Sequence, residues 1–169
     1  MTIFLATDHA GFELKEKIKN ELIEKGYQVE DCGAFEYNPD DDYPDTISIA
    51  AEKISEQPSD RAIVFGSSGQ GEAIVANKFQ NVRAVVFYGP YTPQHTIDVT
   101  GKTSDDSFEV VRLARVHNNA NILSLGAHIL NFDDAIRAVD VFLQTDFSNE
   151  ERHARRIEKI INLERNKST

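Results

Sequence analysis

Short apolar runs alternate with amphipathic segments along the whole chain. The apolar runs are rich in β-branched residues, as are strands that are covered on both faces of a sheet. Between the first two runs, Leu14, Ile18 and Leu22 recur every four residues among Lys and Glu, which predicts an amphipathic helix. The predicted strands lie at 2–7, 27–32, 62–66, 83–88 and 121–126, and the predicted helices lie at 11–25, 44–56, 71–79, about 105–117 and 132–145.

This alternation predicts one α/β domain over residues 1–169, with five parallel strands in a three-layer, doubly wound, Rossmann-like sheet that has helices on both faces. We expect the strand order 2-1-3-4-5, which reverses direction between the first and third strands. Ligands in such folds bind beyond the carboxyl ends of the strands at the reversal. The chain places "TDHAG" after the first strand and "GSSGQGE" after the third, so we expect the binding site there.

Two helix starts and one long loop are also marked in the sequence. Asn131, followed by two aspartates, is the expected N-cap of the helix at 132–145. Ser148 and Glu151 have the spacing of a capping box for a C-terminal helix. Residues 88–107 hold two prolines, two glycines and mostly polar side chains, and we interpret them as a loop inserted into the domain.

Charge and composition narrow the possible partners. The formal charge of -10 disfavours a nucleic-acid or anionic-membrane surface, because phosphate backbones are bound by clustered Lys and Arg. The single cysteine, Cys32, excludes an internal disulfide and a cysteine-based zinc site. The histidines show no metal-ligand spacing, so we expect no metal and no other cofactor. Acidic residues follow the N-terminus too soon for a signal peptide, and we expect a cytoplasmic protein.

The glycine-rich loop after the third strand carries an unexpected carboxylate. Gly66, Gly69 and Gly71 allow backbone N–H groups to point into a cavity, yet neither a P-loop nor a dinucleotide fingerprint fits. A carboxylate beside N–H donors is what proton abstraction next to a carbonyl requires, so Glu72 is the candidate base and the loop would hold the enediolate. The alternative is a tight turn in which Glu72 is only a favourable first-turn acid.

Other polar residues each have two interpretations. Asp8 and His9 follow the first strand and are either site residues or a helix cap with its neighbour. His117 is a site residue or a surface histidine, and Tyr43 is a site residue or a packing residue at a helix entry.

Basic residues cluster near the C-terminus. Arg152 and Arg156 are four residues apart and share a helix face, with His153 and Arg155 beside them. Paired arginines are suited to gripping a phosphate monoester, and the alternative is a solvated face of the helix.

Taken in order, five motifs resemble those of one known family. They are "DHAG" (8–11), "DYPD" (42–45), "GSSGQGEAIVANK" (66–78), "HNNAN" (117–121) and "RHARRIE" (152–158). The chain resembles the ribose-5-phosphate isomerase B family, which includes the galactose-6-phosphate isomerase subunits. The resemblance covers nearly the whole chain apart from the long loop.

The resemblance implies a metal-free aldose–ketose isomerase of phosphorylated sugars that works through a cis-enediol. It also implies a homodimer, with a tetramer as the alternative, whose active sites lie between subunits. By position, His117 would open the sugar ring with help from Asp8, and Arg152 and Arg156 would hold the phosphate with His9 and His153 nearby. Ser68 and the loop residues Gly66, Ser67, Gly69 and Gly71 would steady the enediolate, and Tyr43 and Asn118 would line the sugar.

The chain departs from the family pattern at two positions. Many members carry a catalytic cysteine where this chain has Gly66, so the base is assigned to Glu72, as in a second branch of the family. An arginine that some members use for phosphate matches His128, which we therefore place among the substrate-binding residues. We expect ribose 5-phosphate and ribulose 5-phosphate as substrates. A six-carbon sugar phosphate is the nearest alternative, and a non-catalytic sugar-phosphate or nucleotide sensor is a third.

Overall fold

Five parallel strands alternate with helices in the computed structural model, which describes residues 1–165. A short 3₁₀ turn, His9–Gly11, follows the first strand. No helix in these residues is both long and apolar enough to cross a membrane. The strands are β1 Thr2–Thr7, β2 Gln28–Asp31, β3 Arg61–Gly66, β4 Ala84–Phe87 and β5 Ile122–Gly126. The helices are α1 Phe12–Glu24, α2 Tyr43–Glu56, α3 Gln70–Ala76, α4 Glu109–Asn118, α5 Phe132–Gln144 and α6 Glu151–Arg165.

The sheet is buried on both faces, which gives the predicted three layers. Successive residues of a strand point to opposite faces, and β1 therefore sends Ile3 and Leu5 to one core and Phe4 and Ala6 to the other. Helices α1, α4 and α5 cover the first face, and α2 and α3 cover the second. The predicted fold class is confirmed.

The predicted strand order is wrong at one end of the sheet. The observed order is β2-β1-β3-β5-β4, so β5 lies beside β3 and β4 forms the edge. Burial explains the exchange: every residue of β5 is buried, whereas only Phe87 of β4 is. A strand buried along its whole length requires neighbours on both sides, and the less buried strand is left at the edge.

Local hydrogen bonds explain why α5 begins where predicted and why α4 and α6 begin later. Asn131 accepts a bond from the backbone of Asp134, which confirms the predicted N-cap. Ser148 instead accepts a bond from the backbone N–H of Glu150, and α6 begins only at Glu151, so the predicted capping box is wrong. Helix α4 begins at Glu109 rather than near 105, because Asp106 accepts a bond from the N–H of Phe108 and holds a turn there.

Residues 88–107 contain no helix or strand, yet their own hydrogen bonds organise them. The N–H of Tyr91 donates to the carbonyl of Ser107 at 2.7 Å and closes the base of the segment. Near its tip, Asp98 Oδ1 accepts bonds from the backbone N–H and the hydroxyl of Thr100. The segment is an Ω-type loop whose ends lie close together.

Candidate active site

The glycine loop after β3 is held by the turn that follows β5. Ala127 and His128 donate their backbone N–H groups to the carbonyls of Gly66 and Ser67, at 2.8 and 3.1 Å. The hydroxyl of Ser124 donates to the carbonyl of Gly69, which has a left-handed φ of 75°. These contacts exist because β5, not β4, lies beside β3.

Glu72, in the first turn of α3, is only 4% exposed. Its carboxylate lies directly against Gly66, where an added Cβ would overlap Oε1 and Cδ of Glu72. Burial raises the pKa of Glu72 and the charge of Asp8 raises it further, while a bond from the residue's own backbone N–H partly offsets both. A raised pKa suits a group that must both take and return a proton.

Asp8 is buried at the end of β1, where its carboxylate accepts a bond from the N–H of Ala10. The helix-cap interpretation of Asp8 is thus correct, although its charge also acts on Glu72. The turn lies close against the sheet because residue 11 is glycine: a Cβ there would overlap Thr7 Oγ1 and Phe65 Cβ.

His9 is held by Asp41, a residue that sequence reasoning missed. Asp41 Oδ1 accepts a bond from the backbone N–H of His9 at 2.9 Å and lies 2.7 Å from Nδ1 of the ring. The signal was the run of acids before Tyr43, but only the fold shows which of them reaches His9.

Tyr43, the first residue of α2, covers the glycine loop. A Cβ on Gly71 would lie 2.7 Å from the Tyr43 hydroxyl, so the ring can approach only because residue 71 is glycine. Tyr43 also packs against the core under α2, as the packing interpretation expects, and its role in the site stays a prediction.

An open cavity of about 450 Å³ lies beside His9, and its lining includes neither Glu72 nor Tyr43. Lys17 and His128 also line it. His128 is exposed, and its Nδ1 lies 2.9 Å from Ser67 Oγ. Ser68 stands in the same loop and accepts a long bond from the N–H of Gln70.

Four other predicted residues, from α4 and α6, form a second cluster. His117 stacks on His153, with ring centroids 4.3 Å apart, and both line a small cleft of about 210 Å³ with Arg152 and Arg156. His153 is 3% exposed, and burial together with the charges around it lowers its pKa. Nε of Arg152 donates to Glu150 at 2.8 Å.

Asparagines that bond to neighbouring groups fix the end of α4, where His117 lies. Asn119 takes a left-handed conformation that ends the helix, and the buried Arg115 donates to its side chain and to the carbonyl of Thr145. Asn121 pairs with the backbone of residues 81 and 83. Asn118 is exposed and lines an apolar groove beside β4 instead of the cleft at His117.

The two clusters lie at opposite ends of the parallel strands. His117 precedes β5, whereas His128 follows it, and five residues at about 3.3 Å each separate the two ends of that strand by roughly 15 Å. Within one chain, Glu72 and His117 therefore do not face one substrate. The loop at 88–107 reaches the second cluster, since its residues 96–99 line the same cleft.

Asp8, His9 and Asp41 each offer a ligand atom within 4.8 Å of the other two. Their atoms already serve one another and the backbone, because Asp41 pairs with Nδ1 of His9 and Asp8 caps the 3₁₀ turn. Each of the three side chains therefore already has a bonding partner within the chain.

A family model described as Ribose/Galactose Isomerase matches residues 3–100 and 104–160. The chain belongs to the ribose/galactose isomerase family. All five motifs fall inside the match, so the resemblance inferred from them is confirmed, and the break at 101–103 falls within the long loop.

Relatives of this isomerase family align along nearly the whole chain. A ribose-5-phosphate isomerase B of Mycolicibacterium paratuberculosis is 38% identical over 165 residues, which cover 98% of this chain and 92% of the relative. The structure of ribose-5-phosphate isomerase B from Mycoplasma genitalium with bound ribulose-5-phosphate has a TM-score of 0.83 at 33% identity, covering 97% of this chain and 96% of that one. A 4-deoxy-4-sulfo-D-erythrose isomerase of Clostridium sp. strain MSTE9 is 32% identical over 148 residues, or 88% of this chain and 82% of the relative.

Proposed function

We propose that this member of the ribose/galactose isomerase family interconverts ribose 5-phosphate and ribulose 5-phosphate, with Glu72 as the base. The observation that carries the proposal is the buried Glu72 carboxylate, packed against Gly66 at the carboxyl edge of the sheet. The names of the relatives agree with this substrate pair.

In the proposed mechanism, Glu72 removes the proton on C2 of open-chain ribose 5-phosphate. The electrons of that bond form the C1–C2 double bond, and the negative charge moves to the carbonyl oxygen O1 of the cis-enediolate. The proton on O2 passes to the neighbouring O1, the protonated Glu72 delivers its proton to C1, and the electrons left on O2 form the ketone. Ser68 and the backbone N–H groups of the glycine loop hold the negative charge that develops on oxygen.

The complete site requires a second subunit, because within one chain the cluster at Glu72 and the cluster at His117 lie at opposite ends of the strands. The partner would bring His117 to open the ring, and Arg152 and Arg156 to bind the phosphate. Helix α6 supports a dimer: His153 is its only buried residue up to position 165, and Ile160 and Leu163 are 44% and 64% exposed. A second copy would cover this apolar surface. Dimer or tetramer, and a cytoplasmic location, stay predictions.

The same chemistry on another anionic sugar is the second candidate. His128 stands where some family members have a phosphate-binding arginine, and its ring bonds to Ser67 in the glycine loop. This substitution leaves room for a six-carbon sugar phosphate. A non-catalytic sensor is less well supported, since a sensor has no need of a buried carboxylate, which costs stability.

The test is a turnover assay across ribose 5-phosphate, allose 6-phosphate and galactose 6-phosphate, together with proton exchange at C2 in heavy water. We expect the highest kcat/KM with the pentose. Glu72→Gln should lose both turnover and exchange while it stays folded, and Glu52→Gln, an exposed glutamate of α2, should match the wild type. If the wild type binds sugar phosphates but catalyses no proton exchange at C2, the proposed isomerase activity is refuted.

A further inference from the structure

We propose that Asp41 is a positioning residue, which holds the imidazole of His9 with Nε2 turned toward the substrate's phosphate. One carboxylate oxygen serves two groups of the same residue, the backbone N–H at 2.9 Å and ring Nδ1 at 2.7 Å. The first bond fixes the carboxylate relative to β1, and the second fixes the rotation of the ring. The inference rests on the proposed function, in which His9 meets the phosphate.

The pairing determines what the other ring nitrogen can do. A carboxylate only accepts hydrogen bonds, so Nδ1 must carry a hydrogen. Nε2 then presents a lone pair when the ring is neutral and an N–H when the ring is charged. Only the charged ring can donate to a phosphate oxygen from Nε2, and such charge-assisted bonds are about twice as strong as neutral ones.

The surroundings of His9 favour the charged ring. The hydrogen bond to Asp41 is the main cause that raises the pKa of His9, and the charge of Asp8 adds to it, while burial opposes both. The side chain of Asp41 is 18% exposed and that of His9 is 34% exposed, so the pair is partly shielded and His9 still reaches the cavity. The other titratable groups facing His9 are Asp8, Glu13, Lys17, Tyr37 and His128.

Asp41→Asn separates positioning from a purely structural role. The amide oxygen of asparagine still accepts both bonds from His9, but the negative charge is gone. Asp40→Asn is the matched control, because it removes the same charge one residue earlier from an exposed side chain. Both variants should fold, and both can be measured without turnover.

The first readout is an NMR titration of the His9 ring. In Asp41→Asn its pKa should fall toward that of an ordinary imidazole, whereas Asp40→Asn should titrate like the wild type. The second readout is KM for ribulose 5-phosphate, which should rise about fivefold in Asp41→Asn at a pH between the two measured His9 pKa values. It should differ little at a pH well below both values, where both rings are charged, and kcat should stay within about twofold. In a His9→Ala background, Asp41→Asn should have no further effect on KM.

An unchanged His9 titration in Asp41→Asn, or an equal shift in Asp40→Asn, would overturn the proposal. A KM effect of the same size at both pH values would also overturn it, because a structural defect does not depend on the charge of His9. Should the wild type lack isomerase activity, the proposed function fails. The titration and the affinity for inorganic phosphate would then still decide the role of Asp41.

Discussion

The carboxylate of Glu72 occupies the space that a side chain on residue 66 would need. A Cβ built on Gly66 lies 2.7 Å from Oε2 of Glu72 and closer still to Cδ and Oε1. A side chain at position 66 and a buried carboxylate at position 72 therefore exclude each other. This packing supports the assignment of the base to Glu72 in a chain that has glycine at position 66.

Gly66→Ala should keep the fold and lose turnover. The atoms that a new methyl group meets are the end of the flexible Glu72 side chain, so the carboxylate will move away from its catalytic position. We expect kcat to fall about 100-fold or more, since a misplacement of roughly 1 Å has that effect. The stability cost should be smaller when Gly66→Ala is combined with Glu72→Ala, and equal costs in both backgrounds would show that the two residues do not share this space.

Glu72→Gln should make the protein more stable at high pH. Because the folded state raises the pKa of Glu72, folding is disfavoured once pH rises above the ordinary pKa of a carboxyl group. The variant should gain about 0.5–2 kcal/mol in the free energy of unfolding at pH 8, and the gain should vanish near pH 4. Urea denaturation at several pH values measures this, with Glu52→Gln as the control. A gain that is constant with pH would contradict the assigned cause.

The pH dependence of turnover follows from the same shift. Glu72 must be ionised to take a proton, so kcat should fall as pH drops through its raised pKa. The acidic limb of the kcat profile measures this value. A limb at the position of an ordinary glutamate would argue against Glu72 as the base.

Two inactive variants should restore activity when mixed. Glu72→Gln damages one cluster, and a variant with both Arg152→Gln and Arg156→Gln damages the other. If each site joins one cluster from each subunit, a mixed dimer has one intact site, and an equal mixture should regain about a quarter of the wild-type activity. Native mass spectrometry would verify that mixed dimers have formed. No regain in their presence would mean that each site is built from one chain.

Asp98→Asn should tighten the binding of inorganic phosphate. Asp98 lines the cleft with Arg152, and its pKa is lowered chiefly by its bond from Thr100 and in smaller part by the charge of Arg152. Asparagine keeps an oxygen for the turn and removes a charge that repels phosphate, so Kd should fall roughly threefold at low salt and less at high salt. Asp105→Asn, an exposed change in the same loop, is the control. Equal Kd values in all three proteins would show that the charge of Asp98 does not affect phosphate binding.

Treatment with EDTA should leave turnover unchanged. The mechanism assigns the carbon-bound proton to Glu72 and the developing charge to Ser68 and the glycine loop, and Asp8, His9 and Asp41 already have bonding partners within the chain. Activity before and after dialysis against EDTA measures this. Loss of activity that a divalent cation restores would require a metal in the mechanism.

Local signals in the sequence predicted some element boundaries correctly and others not. The spacing of Leu14, Ile18 and Leu22 predicted α1 to within a residue at each end, and Asn131 marked the start of α5. The same local rules failed at Ser148 and near residue 105, where nearby polar groups compete for the same N–H donors. Asp41 was missed because three aspartates stand in a row, and sequence spacing does not tell which one folds back onto His9.

By itself, the sequence determined the alternating strands and helices, the family and the chemical identity of the candidate residues, because these depend on periodicity and on ordered motifs. The tertiary structure alone decided that β5 lies beside β3, since that choice depends on how much of each strand is buried. From this order follows the contact of His128, after β5, with Ser67, after β3. Contacts between residues far apart in the chain depend on packing, which no local pattern encodes.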